Sequence, residues 1–402
     1  MMQRVCAAAL LHKGITHIHN PGHSNDDKAA LGIIQQFGAS VIYTEDKRIG
    51  IQSSGEIKTI DSIHCGESGL SARLFTPIAA LSNSAIKIVA EGSLTQRPMK
   101  PLLNVLKQLQ VSILQDEFPL VLQGPLQAAN LKVNAAESSQ YLSGLLFALS
   151  AAAHQTIEVD VSELSSKPYI DLTLQVLQHF GKPIENINYT NFIIRPERFT
   201  FTPEISIDLE SDWSAASCLM VAAAIKGCIH FKHINKDSLQ ADKAILQVLK
   251  SANAQISYTT DGITIKHGLL NPFEFDARDC PDLFPALSIL ASACRGESSI
   301  RGLSRLLHKE SNRAASIADM LDALGIPFFI EDDCLIVSGV EELEAAHVEG
   351  CNDHRIVMAA AVAALRAKGP VTIRGAEAIN KSYPAFFKDL RILGVDCTIN
   401  QI

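Results

Sequence analysis

Basic and acidic side chains alternate in a few short runs of this sequence. Lys309, Glu310 and Arg313 share "HKESNR", and Asp353, His354 and Arg355 share "CNDHR". Arg97, Asp282 and Lys381 stand beside other helix-like stretches. Guanidinium and ammonium groups grip phosphate and carboxylate, while carboxylates move protons. The mixture suits a reaction that holds anionic substrates and transfers a proton. Each signal alone has a plainer reading. Lys309, Glu310 and Arg313, at i, i+1 and i+4, could be a solvated salt-bridge face. Asp26 and Asp212 could be helix caps, Arg97 a helix-start residue, and Tyr169 could simply pack. A common framework decides between the two readings.

That framework is an internal repeat. Six segments join an apolar helix to a short strand, from "RVCAAALLHKGITHIHN" to "RIVMAAAVAALRAKGPVTIRGA". A second helix follows, as in "MKPLLNVLKQLQ" and "AASIADMLDALG". It stops at the column Gly38, Gln110, Gly181, Asn253, Gly325 and Gly394, whose members recur at intervals of about 70 residues. Gly and Asn tolerate the left-handed conformation that ends many helices. Two alternating strands come next, so the unit is β-α-β-α-β-β, with the sixth cut short at "VDCTINQI". The expected fold is α/β with two similar domains, residues 1–210 and 211–402. Each holds three units, its apolar helices buried inside a ring of sheets.

Each unit sets a polar loop before a helix twice over. Helix N-termini carry unpaired N–H groups and partial positive charge, so several together make an anion site. The candidate residues fall at these places. Arg4, the Glu67–Arg73 loop, Ser138, Ser139, Gln140, Asp212, Asp282 and Asn352–Arg355 lie at the first helices. Asp26, Asp27, Arg97, Lys167–Tyr169, Gln240, Lys309, Glu310, Arg313 and Lys381 lie at the second.

In units two to six a strand and a polar loop precede the apolar helix; the first unit begins without them. Arg4 with its short apolar run resembles a signal peptide. The same pattern recurs five times inside the chain, so the stretch reads as a helix lacking its lead-in.

Composition narrows the class. The 402 residues are 47% hydrophobic, enough for two full cores. No apolar run reaches the roughly 18 residues of a membrane span. A net charge of −8 argues against a general nucleic-acid binder. The nine cysteines include no C-x-x-C pair and read as reduced thiols of a cytoplasmic protein. The 13 histidines form no H-E-x-x-H or comparable set, so no metal is expected.

Five stretches together carry a resemblance: "ESSQYLSGLL" at 137–146, "SSKPYIDLTL" at 165–174, "HKESNR" at 308–313, "CNDHR" at 351–355 and "KSYPAFF" at 381–387. The chain resembles the 3-phosphoshikimate 1-carboxyvinyltransferase family from Met1 essentially to its end. The resemblance implies an inside-out α/β fold of two clamp-like domains with the active site in the cleft between them. It implies transfer of the enolpyruvyl group of phosphoenolpyruvate to the 5-hydroxyl of shikimate 3-phosphate by addition and elimination, with no cofactor. These two small molecules are the expected partners; nucleic acid and membrane are not, and a monomer is expected.

Matched position by position, Asp282 resembles the residue that holds and deprotonates the 5-hydroxyl. Glu310 resembles the group exchanging a proton with the phosphoenolpyruvate carbon, and Lys381 a donor on the phosphate side. Arg97, Arg313 and Arg355 match the phosphoenolpyruvate clamp, with Gln140 beside both substrates. Gly69 matches the small residue lining the phosphoenolpyruvate pocket, where glyphosate competes. Ser138, Ser139, Gln140, Ser166, Tyr169 and Lys309 match the shikimate 3-phosphate side, which Asp282 also touches, and Arg4 its carboxylate.

Three departures stand out. The family's G-S-K-S loop before the Arg4 helix is absent, and the expectation is a start codon assigned too late or a chain trimmed at its start. Glu67 replaces a usual Asn, and Ala314 a larger apolar residue. Two rivals follow: an impaired paralogue that binds anions without turnover, and the related UDP-N-acetylglucosamine enolpyruvyl transferase. The second usually carries a Cys in the loop that here reads "EGSLTQRP". It also lacks the "SSKPYID" pattern.

Overall fold

The computed structural model describes residues 1–44, 48–136, 138–307 and 309–399. Glu137 and His308, the first residues of two quoted motifs, lie outside the described residues. The chain divides into two compact units, Met1–Glu210 and Ser211–Ile402. The first carries helices α1 (Met2–Leu10), α2 (Asn25–Gln36), α3 (Gly69–Ala79), α4 (Lys100–Gln108), α5 (Ser139–Ala152) and α6 (Lys167–His179). The second carries α7 (Trp213–Ile225), α8 (Ile245–Ser251), α9 (Phe284–Ser292), α10 (Arg313–Ala323), α11 (His354–Ala363) and α12 (Phe386–Ile392).

The odd-numbered helices are the apolar ones, and they are buried nearly all round. Every residue of α9 is buried, as is α5 from Tyr141 to Ser150. A helix without a polar stripe has no face to offer water, so it must pack on its equivalents. In the first unit α3 packs on α1 and α5; in the second, α7, α9 and α11 pack on one another. The even-numbered helices bury one side: α4 buries Leu102, Leu103, Val105 and Leu106 and leaves Lys107 outside. Strands alternate as half-buried strands do, Ile157–Ser162 turning every second residue inward. Among the described residues no helix is long and apolar enough to cross a membrane.

In four units the strand before the apolar helix runs parallel to the strand after it, as a β-α-β crossover requires. Ser62–His64 lies beside Ala85–Val89, and Leu131–Asn134 beside Ile157–Ser162. Glu274–Asp276 and Ala346–Glu349 lie likewise beside Glu297–Arg301 and Val371–Arg374. The fourth unit differs from the simple repeat. Its lead-in strand, Glu204–Asp208, pairs in parallel with Lys13–His19 of the first unit. It thus supplies the parallel neighbour that the first unit's own sequence does not.

The helix-stop column behaves as one structural position. All six members have positive φ: Gly38 +100°, Gln110 +64°, Gly181 +73°, Asn253 +60°, Gly325 +68° and Gly394 +89°. Gln110 adopts the left-handed turn despite its Cβ, because its place in the repeat demands it. Asp212 caps α7, accepting from the Ser214 and Ala215 amides at 2.8 and 3.1 Å. Asp26 is not a cap. Ser24 caps α2 in a reciprocal box with Asp27, and Asp26 accepts a long bond from Gln3 Nε2, 3.4 Å.

Candidate active site

In the second unit four helix starts bring their polar residues together. Arg313, the first residue of α10, is 1% exposed and forms the hub. Its Nη1 donates to Asp282 Oδ1 at 2.7 Å, and its Nε to Asp353 Oδ2 at 2.8 Å. Nη2 donates to Asp353 Oδ1 at 3.2 Å and to Glu310 Oε2. Asp353 is fully buried; it also accepts from Ser311 Oγ and caps α11 through the Arg355 amide. Lys309 Nζ donates to Asp282 Oδ1 at 3.1 Å, and Arg355 Nη2 stands 3.8 Å from Asp282 Oδ2.

Electrostatics follows from this packing. Burial alone would raise the Asp282 carboxyl, but Lys309, Arg355 and Arg313 outweigh it and hold the group far below the usual carboxylate range. Burial would likewise lower Arg313, yet Asp353, Glu310 and Asp282 raise it. Lys309 is lowered, burial outweighing its attraction to Asp282. Arg355 is 5% exposed, and its Nε and Nη1 meet no acceptor among the described residues. A buried guanidinium with two unsatisfied edges is built to receive an anion.

Lys381, 8% exposed, ends the turn before α12 and donates to the Asn352 carbonyl at 2.7 Å. That bond pins a loop in which Cys351 and Asn352 both have positive φ, +50° and +52°. Two consecutive left-handed non-glycines cost about 1–3 kcal/mol each and persist only where the surroundings hold them.

The first unit gathers two groups. Arg4, 3% exposed in α1, donates from Nε to Thr173 Oγ1 at 2.9 Å and from Nη2 to the Tyr169 carbonyl at 3.2 Å. Its guanidinium lies 5.9 Å from the Tyr169 ring centroid, and burial lowers it to about 10, which leaves it charged at neutral pH. The second group surrounds Gly69, the first residue of α3. A Cβ there would stand 2.5 Å from Arg97 Nη1 and 3.2 Å from Arg73 Nη1, so two guanidiniums crowd the glycine. Arg73 Nη1 donates to Gln140 Oε1 at 2.8 Å. Ser138 caps α5, receiving the Gln140 amide at 3.2 Å, and Ser139 beside it is buried. Ser166, 5% exposed, occupies the N-cap position of α6 with a left-handed backbone, φ +55°, and its side chain makes no capping bond to the helix.

The sequence candidates therefore occupy defined places. Gly69, Arg97 and Gln140 share one cluster, and Arg4 with Tyr169 another. Asp282, Lys309, Glu310, Arg313 and Arg355 form a third. Lys381 reaches the loop before Arg355, while Ser138, Ser139 and Ser166 begin helices α5 and α6. Several participants went unassigned in the sequence. Asp353, two residues before Arg355 in "NDHR", stood in a run already singled out but carried no role of its own. Thr173 lies four residues after Tyr169, on the same helix face. Arg73 sits within the Glu67–Arg73 loop already singled out. Asp242 in "SLQADK" gave no signal. It is buried, accepts from Ser214 Oγ, and is pushed up to about 6 by burial and by Asp282.

Comparison with known proteins identifies the family. The family model for EPSP synthase (3-phosphoshikimate 1-carboxyvinyltransferase) matches residues 2–390. The 3-phosphoshikimate 1-carboxyvinyltransferase of Clostridium perfringens (strain SM101 / Type A) is 33% identical over 400 residues, covering 98% of this chain and 93% of that protein. The Clostridium acetobutylicum enzyme of the same name is 33% identical over 398 residues, covering 98% and 92%. Among solved structures, EPSP synthase from Acinetobacter baumannii superposes with a TM-score of 0.82 at 23% identity, covering 97% of this chain and 92% of that one. The enolpyruvyl transferase NikO from Streptomyces tendae gives 0.75 at 19% identity, covering 98% and 92%. These two likenesses show the shared two-domain inside-out α/β fold. With six repeats, the charged helix starts and a family match over nearly its whole length, the chain belongs to the EPSP synthase (3-phosphoshikimate 1-carboxyvinyltransferase) family.

Proposed function

We propose that the Asp282–Glu310–Arg313 cluster, with Arg355 and Lys381, carries out the family's reaction. The chain is an enolpyruvyl transferase of the shikimate pathway, moving the enolpyruvyl group of phosphoenolpyruvate to the 5-hydroxyl of shikimate 3-phosphate. Phosphate is released. Arg97, Arg313 and Arg355 hold phosphoenolpyruvate, with Gly69 and Gln140 at its side and Lys381 toward its phosphate. Ser138, Ser139, Gln140, Ser166, Tyr169, Asp282 and Lys309 hold shikimate 3-phosphate, and Arg4 its carboxylate. The protein works in the cytoplasm as a monomer.

In the addition step Glu310 gives a proton to the methylene carbon of phosphoenolpyruvate. The 5-oxygen bonds to the neighbouring carbon, and Asp282 takes the hydroxyl proton. Elimination returns the carbon's proton to Glu310 while the C–O bond to phosphate breaks; the hydroxyl proton taken by Asp282 ends on the departing phosphate, beside which Lys381 supplies a cation. One observation carries this reading: Asp282 is ringed by Lys309, Arg313 and Arg355. These are the cations assigned to the substrates' anionic groups. When phosphate and carboxylate engage them, less positive charge is left to depress Asp282, and its basicity rises where the hydroxyl is presented. A base held too acidic without substrate becomes competent with it.

The test is phosphate release from phosphoenolpyruvate, with and without shikimate 3-phosphate, on the full-length protein. Release that needs both substrates is expected. Tight binding of both with no turnover would replace the enzyme reading with that of an anion-binding paralogue.

A further inference from the structure

The Tyr141 hydroxyl has no part in the reaction just described, yet it ties together two residues that do. Tyr141 follows Gln140 in the first turn of α5 and is 2% exposed. Its ring lies 5.4 Å from the Arg73 guanidinium, which in turn holds the Gln140 amide oxygen. Its hydroxyl donates to the carbonyl of Pro98, the residue after Arg97, at 2.6 Å. A buried phenol needs a polar partner. Here that partner is the backbone carrying a substrate-binding arginine.

Arg97 lies in extended backbone, φ −79° and ψ 140°, between the turn Gly92–Gln96 and helix α4. Its amide donates to the Leu94 carbonyl at 3.0 Å, and one residue further on the Tyr141 hydroxyl holds the Pro98 carbonyl, a second tie next to the guanidinium. We infer that Tyr141 is a positioning residue. It sets the Arg97 guanidinium relative to Gln140 above Gly69, and so sets the fit for the anionic end of phosphoenolpyruvate. The inference rests on the assignment of Arg97 made above. Small displacements of a clamp residue weaken its grip without altering the reacting groups.

Tyr141→Phe separates the two roles of the side chain, because it keeps the ring under Arg73 and removes the hydroxyl that bonds Pro98. The expected result is a KM for phosphoenolpyruvate raised about three- to tenfold, with kcat and the KM for shikimate 3-phosphate within twofold of wild type. Arg97→Ala, measured alongside, should raise the same KM further. An unchanged phosphoenolpyruvate KM in Tyr141→Phe, beside a raised one in Arg97→Ala, would overturn the role of Tyr141 and leave the site intact. No effect of Arg97→Ala would overturn the Arg97 assignment and this inference with it. A parallel rise in both KM values with a matching drop in thermal midpoint would also overturn it, since that is general loosening.

Discussion

The two units hold their cations in different ways. In the second, Arg313 is locked between Asp282, Glu310 and Asp353, and Lys309 leans on Asp282. In the first, Arg4 is oriented by a threonine hydroxyl and a backbone carbonyl, and Arg73 by a glutamine amide and a phenol ring. A guanidinium steered by neutral groups keeps its charge for an incoming anion. One steered by carboxylates spends much of that charge on setting their protonation. The lesson is a division of labour. On the proposed assignment the amino-terminal unit contributes only anion-binding groups, while the carboxy-terminal unit adds the proton-transferring carboxylates Asp282 and Glu310 to anion-binding cations of its own.

The sharpest way to break this contrast is Glu310→Gln. Turnover should fall about 10²–10⁴-fold while calorimetry still shows both substrates binding; normal phosphate release would remove Glu310 from the chemistry. Next is Arg313→Ala, which takes the paired guanidinium from the fully buried Asp353 and leaves Asp282 with Lys309 and Arg355. It should destabilise the second unit by about 3–5 kcal/mol. The protein's single tryptophan, Trp213, is fully buried in α7 and reports that unit alone in urea unfolding. Arg4→Ala should act on affinity: shikimate 3-phosphate binding weakens by about 1.5–3 kcal/mol while the rate at saturation holds. A collapse of kcat with unchanged binding would reverse the assignment of labour.

A fourth measurement uses pH. His354 is pushed down to about 4, first by burial and then by Arg355. Its folded value lies below the unfolded one near 6.5, so the stability tied to the neutral ring is present above 6.5 and lost as pH falls towards 4. The loss is on the order of 3 kcal/mol. His354→Gln should flatten the Trp213 transition across that window, and an unaltered slope would dissociate the ring from acid lability. The smallest effect belongs to Gln110→Gly. Relieving a left-handed glutamine should stabilise the first unit by about 0.5–1 kcal/mol, read as a slightly higher urea midpoint by circular dichroism.

Much of the fold could be read from residue order because it is periodic. Apolar helices with no polar face must be interior, and the helix-stop column recurs with the repeat. Gln110 shows the limit of residue type as a signal, for its neighbours impose a conformation its side chain disfavours. The candidate residues were found from their places at helix starts. Their partners were not, because a pair such as Arg313 with Asp353 is created by two helices meeting, and no spacing along the chain encodes it. The Tyr141–Pro98 bond is hidden for the same reason. So is the exchange by which Glu204–Asp208 joins the first unit's sheet, since a short alternating strand looks alike wherever it pairs.

That last pairing has a consequence for how the molecule is made. His19 and Ser206, which meet across it at 2.9 Å, are 187 positions apart. During vectorial synthesis the opening strand leaves the ribosome long before its neighbour is translated. Its sheet therefore waits with an open flank while almost half the polypeptide emerges. The amino-terminal half closes late, as a ring is closed by its final link, and a nascent chain stalled short of residue 204 keeps that border unpaired and open to self-association.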